Sequence, residues 1–524
     1  MTSAKEKPGE AEGTARSRPH GRRPVRPRHA AATPVTPVTR TAPSCPTAPT
    51  AVLGKADVAE PERTDTPQPV EQPVEPVEPA ELSESVAPAV DEEPEEPRSG
   101  GMFRSLRVRN YRLYAAGQVV SNTGTWMQRI AQDWLVLELT LGSGTALGIT
   151  TGLQFLPLLL FGLWGGVIAD RYSKRLLLML TQTAMGVLAL ILGFLAITGA
   201  AQVWHVYVLA FGLGLATVID NPARQSFVVE MVGKRDLPNA IALNSATFNG
   251  ARLLGPAVAG VLIALIGTGP VFLVNAASFG AVLFGLYAMR TDELHPADPV
   301  KRAKGQLREG LSYVRGRRDL MLIIVLIGFL AMFGMNFGTT VALVAKEVFH
   351  TDASAFGLAS SMLALGALAG ALVAARRVAR PRLRLLVAVG LTFGVLEIIT
   401  GLMPTYWSFL VLLVPTGVAM MTIMTAANSS IQLGVAPEMR GRVMGLYMLV
   451  FLGSNPLGAP TVGWMAEHFG ARTSIVAGGL ISALASIAVG ALAARDHPAF
   501  VRIRRGALAS RVFRASRASG ARSA

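Results

Sequence analysis

Residues 145–169 read TALGITTGLQFLPLLLFGLWGGVIA, without one charged side chain. No other feature limits the fold so sharply. At 1.5 Å of rise per residue, about 20 apolar residues cross the ~30 Å hydrocarbon core of a bilayer. Comparable runs recur as far as RTSIVAGGLISALASIAVGALAA at 472–494, and 51% of the 524 residues are hydrophobic. Buried core helices of a soluble protein account poorly for so many long segments that are apolar on all sides. Twelve spans are expected, near 112–138, 145–169, 176–197, 203–221, 240–266 and 271–289, then 319–345, 354–375, 383–402, 406–430, 442–466 and 472–494. The fold class is therefore an all-α polytopic membrane protein.

The first hundred residues differ. They are rich in Pro, Ala, Thr and Glu, with an acidic-proline run PVEQPVEPVEPAEL after an Arg-rich stretch RSRPHGRRPVRPRH. Such a composition buries too little apolar surface to offset its ordering entropy, so residues 1–105 are expected to be a disordered tail. The tail lacks the apolar segment of a signal peptide. Residues 1–100 carry a net charge of −5, which leaves +20 on the remaining 424 residues. That excess sits between apolar runs, where Lys and Arg set membrane topology, so nucleic acid is not an expected partner. Cys45 is the only cysteine, which excludes disulfides within the chain and Cys-based metal sites.

The connections alternate in charge. One set holds Arg171, Lys174 and Arg175, then Lys234 and Arg235, then the basic stretch from Lys301 to Arg318, then Arg376–Arg384, then Arg440 and Arg442. The other set includes LGSG, TGAAQ, GTG and MPTY, short and uncharged. The positive-inside rule puts the first set and both termini in the cytoplasm. The long connection after span six divides the spans six and six. The halves echo each other: Gly250, Gly255 and Gly260 recur as Gly453, Gly458 and Gly463, each 203 residues later. Two six-helix bundles, 106–290 and 319–494, are expected around a central path, with a linker at 291–318 and a basic tail at 495–524.

Between spans two and three lies GGVIADRYSKR, 165–175. Twelve spans with this G-x-x-x-D-R-x-x-K-R loop resemble the major facilitator superfamily, over about residues 105–494. Gly166, Asp170, Arg171, Lys174 and Arg175 each fall on the family's motif. The resemblance implies a latch that joins the two bundles in the outward-facing state. Gly165 and Gly166 permit close helix approach, and Asp170 is placed to pair with Arg171 or Arg175 or to receive a helix end. Topology alone accounts for the Arg and Lys but not for Asp170 or the glycines. The second-half copy GALVAARRVAR has Ala374 where Asp170 falls in the first, so the latch is expected to be asymmetric. Gly250, Gly255, Pro256 and Gly260 resemble the Gly-Pro motif of the family's antiporters, in which it is associated with export in exchange for protons. Residues 110–140 and 220–232 resemble the branch of siderophore exporters and macrolide-efflux proteins.

Ionisable groups inside hydrocarbon are functional candidates. Gln118, Asn122, Thr125, Arg129 and Asp133 recur at spacings of four and three, one stripe of span one. The stripe fits a cavity wall or a polar contact between helices. Arg129 and Asp133 are placed to neutralise each other. Arg252 in span five requires an acid or a wet cavity, and Asp133, Asp220 or Glu397 serves only if the fold brings it near. Glu397 is the only acid deep in spans seven to twelve and is a candidate proton-coupling carboxylate; the alternative is an interfacial or structural role. The sequence has no phosphate-binding GxxxxGK[ST] loop, no HExxH and no triad, so neither an enzyme nor a cofactor is expected. The expected function is a monomeric, proton-coupled exporter of a small, partly hydrophobic molecule in the cytoplasmic membrane. An importer or an uncoupled facilitator of the same fold is the rival, and a non-transporting receptor or scaffold acting through its tail is the rival from another class.

Overall fold

The computed structural model describes residues 101–295, 306–376 and 380–495. Of the expected tails, 1–100 and 496–524 lie outside the described residues, as do Lys301, Arg302, Lys304 and Arg377. The end of the expected 1–105 tail is ordered instead, with Ser105 buried in a turn at Arg104–Arg107 and bonded to Asn239. Among the described residues there is no strand.

The first half comprises α1 (Arg109–Leu139), α2 (Gly144–Arg171), α3 (Lys174–Ile197), α4 (Val203–Ile266) and α5 (Thr268–Tyr287). α4 supplies two crossings. It is two helices that meet at a kink at Gly233, whose φ of 66° only glycine adopts readily. Spans four and five are thus joined at the Gly233 kink, and the stretch just after residue 221 is helix. α6 (Gln306–Gly316) is a short helix inside the expected linker. It packs on α12, with Arg442 2.6 Å from Glu309.

The second half begins with a broken crossing. α7 (Arg318–Phe329) runs into a π-helical turn at Leu330–Gly334, and α8 (Phe337–Leu343) runs into another at Val344–Val348. α9 (Ala353–Ala375), α10 (Leu383–Gly401) and α11 (Tyr406–Gly434) follow. The eleventh crossing is divided into α12 (Pro437–Gly453) and α13 (Asn455–Phe469), because Pro456 lacks the N–H that would continue the helix. α14 (Ala471–Arg495) closes the bundle.

Ten of these helical stretches are long and apolar enough to span a bilayer. One of the ten is α4, with its two crossings. α1 is not among them because amides, Arg129 and Asp133 interrupt its apolar surface, and it brings the crossings to twelve. Large apolar side chains face outward, with Trp204, Trp407 and Phe469 exposed at the end that carries the short uncharged connections. Aromatic rings at that level match a bilayer interface.

The two halves meet toward that uncharged end. A Cβ on Gly144 would lie 2.5 Å from the Gly463 carbonyl oxygen, and one on Gly148 would lie 2.3 Å from that of Ala459. α2 and α13 are thus in backbone contact. α4 meets α9 in the same way: a Cβ on Gly260 would lie 2.6 Å from the Ala353 oxygen, and one on Gly357 would lie 2.3 Å from the Pro256 oxygen. Without a hydrophobic drive between helices in lipid, such close approach supplies the van der Waals contact that holds them. The glycine echo in the sequence has matched partners. Gly260 and Gly463 each pack on the opposite half. Gly255 and Gly458 each pack within their own, against Trp126 and Met332. Gly250 has no neighbour within 4 Å, whereas Gly453 meets Leu159.

Candidate functional site

A cavity of about 450 Å³ lies at mid-depth, on the charged-end side of the α2–α13 contact. α2 shows the geometry: Gly144, Gly148 and Gly152 touch α13, and one turn further on Gln154, Phe155 and Leu158 line the cavity. The stripe on α1 divides between roles. Asn122, Thr125 and Arg129 line the cavity. Gln118 instead lies buried in a contact between helices, and Asp133 is buried where α1 faces Gly338 of α8 in the second half. Arg129 is Asp133's electrostatic neighbour, but the two form no ion pair.

The main charged network of the cavity floor lies in DNPARQ. Asp220 accepts hydrogen bonds from Thr181 Oγ1 at 2.9 Å, Gln182 Nε2 at 2.8 Å and Arg224 Nε at 3.0 Å. Arg224 also donates to Gln118 Oε1, so one network ties α1, α3 and α4. Span four was expected to stop at 221, which put Arg224 outside the membrane. The i,i+4 spacing of Asp220 and Arg224 was the available signal. Amides lying off the α1 stripe also serve the cavity: Gln132 donates to Gln154 at 3.3 Å, and Gln128 accepts from Asn275.

Arg252 meets none of the three acids considered for it. Its guanidinium carbon lies 5.7 Å from the centroid of the Trp126 ring, and that of Arg129 lies 5.8 Å from the same ring. Glu397 does not reach the cavity. It is buried inside the second half, between the π-helical turn and α14, with its carboxylate against Gly334 and Gly478. Its Oε2 has no hydrogen-bond partner, and neither has the nearby Ser482 hydroxyl.

At the charged end, Gly165 packs against the Val218 carbonyl and Gly166 is buried. Lys174 pairs with Glu230 at 2.8 Å, while Arg175 donates to the Leu286 oxygen at 2.7 Å and caps the C-terminus of α5. Arg171 is exposed and Asp170 half-buried. These partners of Lys174 and Arg175 belong to the first half.

At the opposite end, the second half grips the connection between α1 and α2 from both sides. Glu467 of α13 accepts from the Ser143 hydroxyl and the Thr145 N–H, each at 2.8 Å, at the start of α2. Lys346 donates to the Leu137 oxygen at 2.7 Å, near the end of α1. An acid thus sits at a helix N-terminus and a base at a C-terminus, each complementing the local dipole.

Residues 100–502 match the sequence profile of the transmembrane secretion effector family. The chain belongs to the major facilitator superfamily. It is 26% identical over 379 residues to the multidrug efflux pump Tap of Mycobacterium tuberculosis, covering 68% of this chain and 87% of that one. It is 22% identical over 382 residues to macrolide efflux protein A of Streptococcus pyogenes, covering 70% and 92%. The staphyloferrin A transporter of Staphylococcus aureus is 28% identical over 252 residues, or 48% of this chain and 63% of that one, so the match spans less than two thirds of that relative. Among solved structures, a bacterial homologue of the human lysosomal transporter Spinster superposes with a TM-score of 0.59 at 17% identity, over 74% of this chain and 97% of that one. The chain is a multi-pass membrane transporter whose relatives include efflux pumps.

Proposed function

We propose that this protein is a proton-coupled exporter of a small, partly hydrophobic molecule. The observation that carries the reading is a polar cavity walled by the first half and bordered by Leu452 of the second, on one side of a closed contact between two six-helix bundles. Positive-inside topology puts the charged end and both termini in the cytoplasm. The cavity then faces inward, and Glu467 and Lys346 hold the outer side shut. Rocking the first half against the second would release that grip and close the inner side, where the 165–175 loop, with Asp170, Arg171, Lys174 and Arg175, latches the alternative state. The Gly255–Pro256 motif and the efflux pumps among the relatives favour export. Asn122 and Arg129 line the cavity, Gln118 holds Arg224 beside it, Asp133 and Arg252 stand outside its lining and tune its charge, and Glu397 carries the proton. A solitary carboxylate in the dry second half is costly when charged, so its protonation biases the two states only if they differ in affinity for the proton. The chain acts as a monomer in this reading.

The test is drug accumulation in cells that lack or express the full chain, followed by transport in proteoliposomes with and without a pH gradient. Export that stops when the gradient collapses, and that Glu397→Gln abolishes, is the expected result. Full proton-driven efflux by that variant refutes the coupling role. Transport that persists without a gradient indicates a facilitator.

A further inference from the structure

Arg129, Arg224 and Arg252, at or beside the cavity, are treated unequally. Arg224 is engaged by Asp220 and Gln118. Arg129 and Arg252, among the described residues, form neither an ion pair nor a hydrogen bond, and their contacts are with aromatic rings. Both guanidiniums lie within 6 Å of the Trp126 ring centroid, and Arg129 also lies 5.3 Å from the centroid of the Phe155 ring. They are close enough to repel one another. Each guanidinium carries five N–H donors and no acceptor. A cation–π contact is worth about 0.5–2 kcal/mol and satisfies none of those donors. While the cavity is open, water meets that need. When the halves close around a cargo the water leaves, and the cargo itself must bring the acceptors.

We propose that the cavity selects organic anions: a carboxylate, sulfonate or phosphonate seated on Arg129, with an aromatic or apolar body against Trp126, Phe155 and Phe248. This deepens the exporter reading and rests on it, since it takes the central cavity as the transport site. Arg252, outside the lining but 5.7 Å from the centroid of the same Trp126 ring, adds positive potential. The charge available to a cation is poor by comparison. Asp220 is occupied by its three donors. Asp133 lies against Gly338, and Glu397 lies in the other bundle. A guanidinium with free donors grips a carboxylate in bidentate fashion, which a compact ammonium does not match.

The experiment uses the full chain in lipid nanodiscs and two fluorescent probes built on one three-ring body: fluorescein, an anion, and tetramethylrhodamine methyl ester, a cation. Binding is read by anisotropy. Fluorescein is expected to bind at least about tenfold more tightly, as a charge-assisted pair set against like-charge repulsion requires. Arg129→Gln should erase most of that preference, Arg252→Gln should reduce it by about threefold through lost potential alone, and Arg129→Lys should retain part of it. The wild-type comparison needs no variant to fold. Equal or tighter binding of the cation overturns the proposal, as does binding of neither probe, or a preference unchanged in Arg129→Gln. If these results come from a protein that still lowers drug accumulation in cells, the anion assignment fails and the exporter reading stands.

Discussion

In the first half, Asp220 holds three donors, Arg224 reaches across to Gln118, and amide pairs join α1 to α2 and α5. In the second half, Glu397 lies enclosed beside a π-helical turn with an unpartnered carboxylate oxygen and an unpartnered serine nearby. Both halves have the same number of crossings and matched packing glycines, yet the polar groups are distributed differently. The first half has a polar, hydrogen-bonded cavity in which one ion pair, Asp220–Arg224, is tied into a network while Arg129 meets only aromatic rings. The second half keeps its other charges toward its two ends and encloses Glu397 among glycines and apolar side chains. Duplicated architecture fixes where helices touch, whereas the polar side chains lining them assign different tasks to the two copies.

The largest test of that contrast is a stability comparison. Asp220→Ala strands the Arg224 guanidinium and should cost about 3–5 kcal/mol, the usual consequence of removing one partner of a buried pair. Glu397→Gln removes a charge that nothing in the protein answers, so its thermal unfolding in detergent should stay at or above wild type. Equal destabilisation by the two variants would erase the distinction between the halves.

A second test addresses what the halves share. Gly463→Val puts side-chain atoms where the Gly144 carbonyl oxygen lies, since even a Cβ would approach it to 2.1 Å. Overpacking of this kind costs about 1–3 kcal/mol, and here the cost falls only on the state in which α2 and α13 touch. Spin labels at Leu141 and Phe469, with Cys45 replaced, should report a longer distance at the uncharged end. An unchanged distance distribution would mean that the glycine contact does not control closure.

The smallest expected effect is at the grip on the α1–α2 connection. Glu467→Gln keeps a hydrogen-bonding oxygen but loses the charge at the α2 N-terminus, worth about 1 kcal/mol or roughly a fivefold change in population. The same pair of labels should show that shift, reduced by salt because the site is near the surface. No shift would make Glu467 a cap for α2 without a part in gating.

Much of this was legible in the sequence, for identifiable reasons. Crossing a bilayer demands length and apolarity, and both are local, so the spans could be read directly. The Gly250/Gly453 series marked the repeat, and two of its three pairs have equivalent partners in space. The polar site was less legible. Helix α4 continues beyond residue 221, and only its continuation brings Arg224 back to Asp220. The α1 stripe marked a polar face, left open between cavity wall and helix contact, and Asn122, Thr125 and Arg129 of it line the cavity, but Gln128 and Gln132 lie off that stripe and find partners on α5 and α2.

The sequence by itself determined that the chain crosses a membrane many times, in two related halves with alternating loop charge, because hydrophobicity and topology depend on local composition. Tertiary structure alone decided which charges are answered. Asp220 and Arg224 meet at one helical turn, while Arg129 and Arg252, far apart in sequence, converge on one tryptophan, and Glu397 meets no cation. A charge buried in a low-dielectric interior is governed by neighbours a few ångströms away, and those neighbours come from helices that only folding brings together.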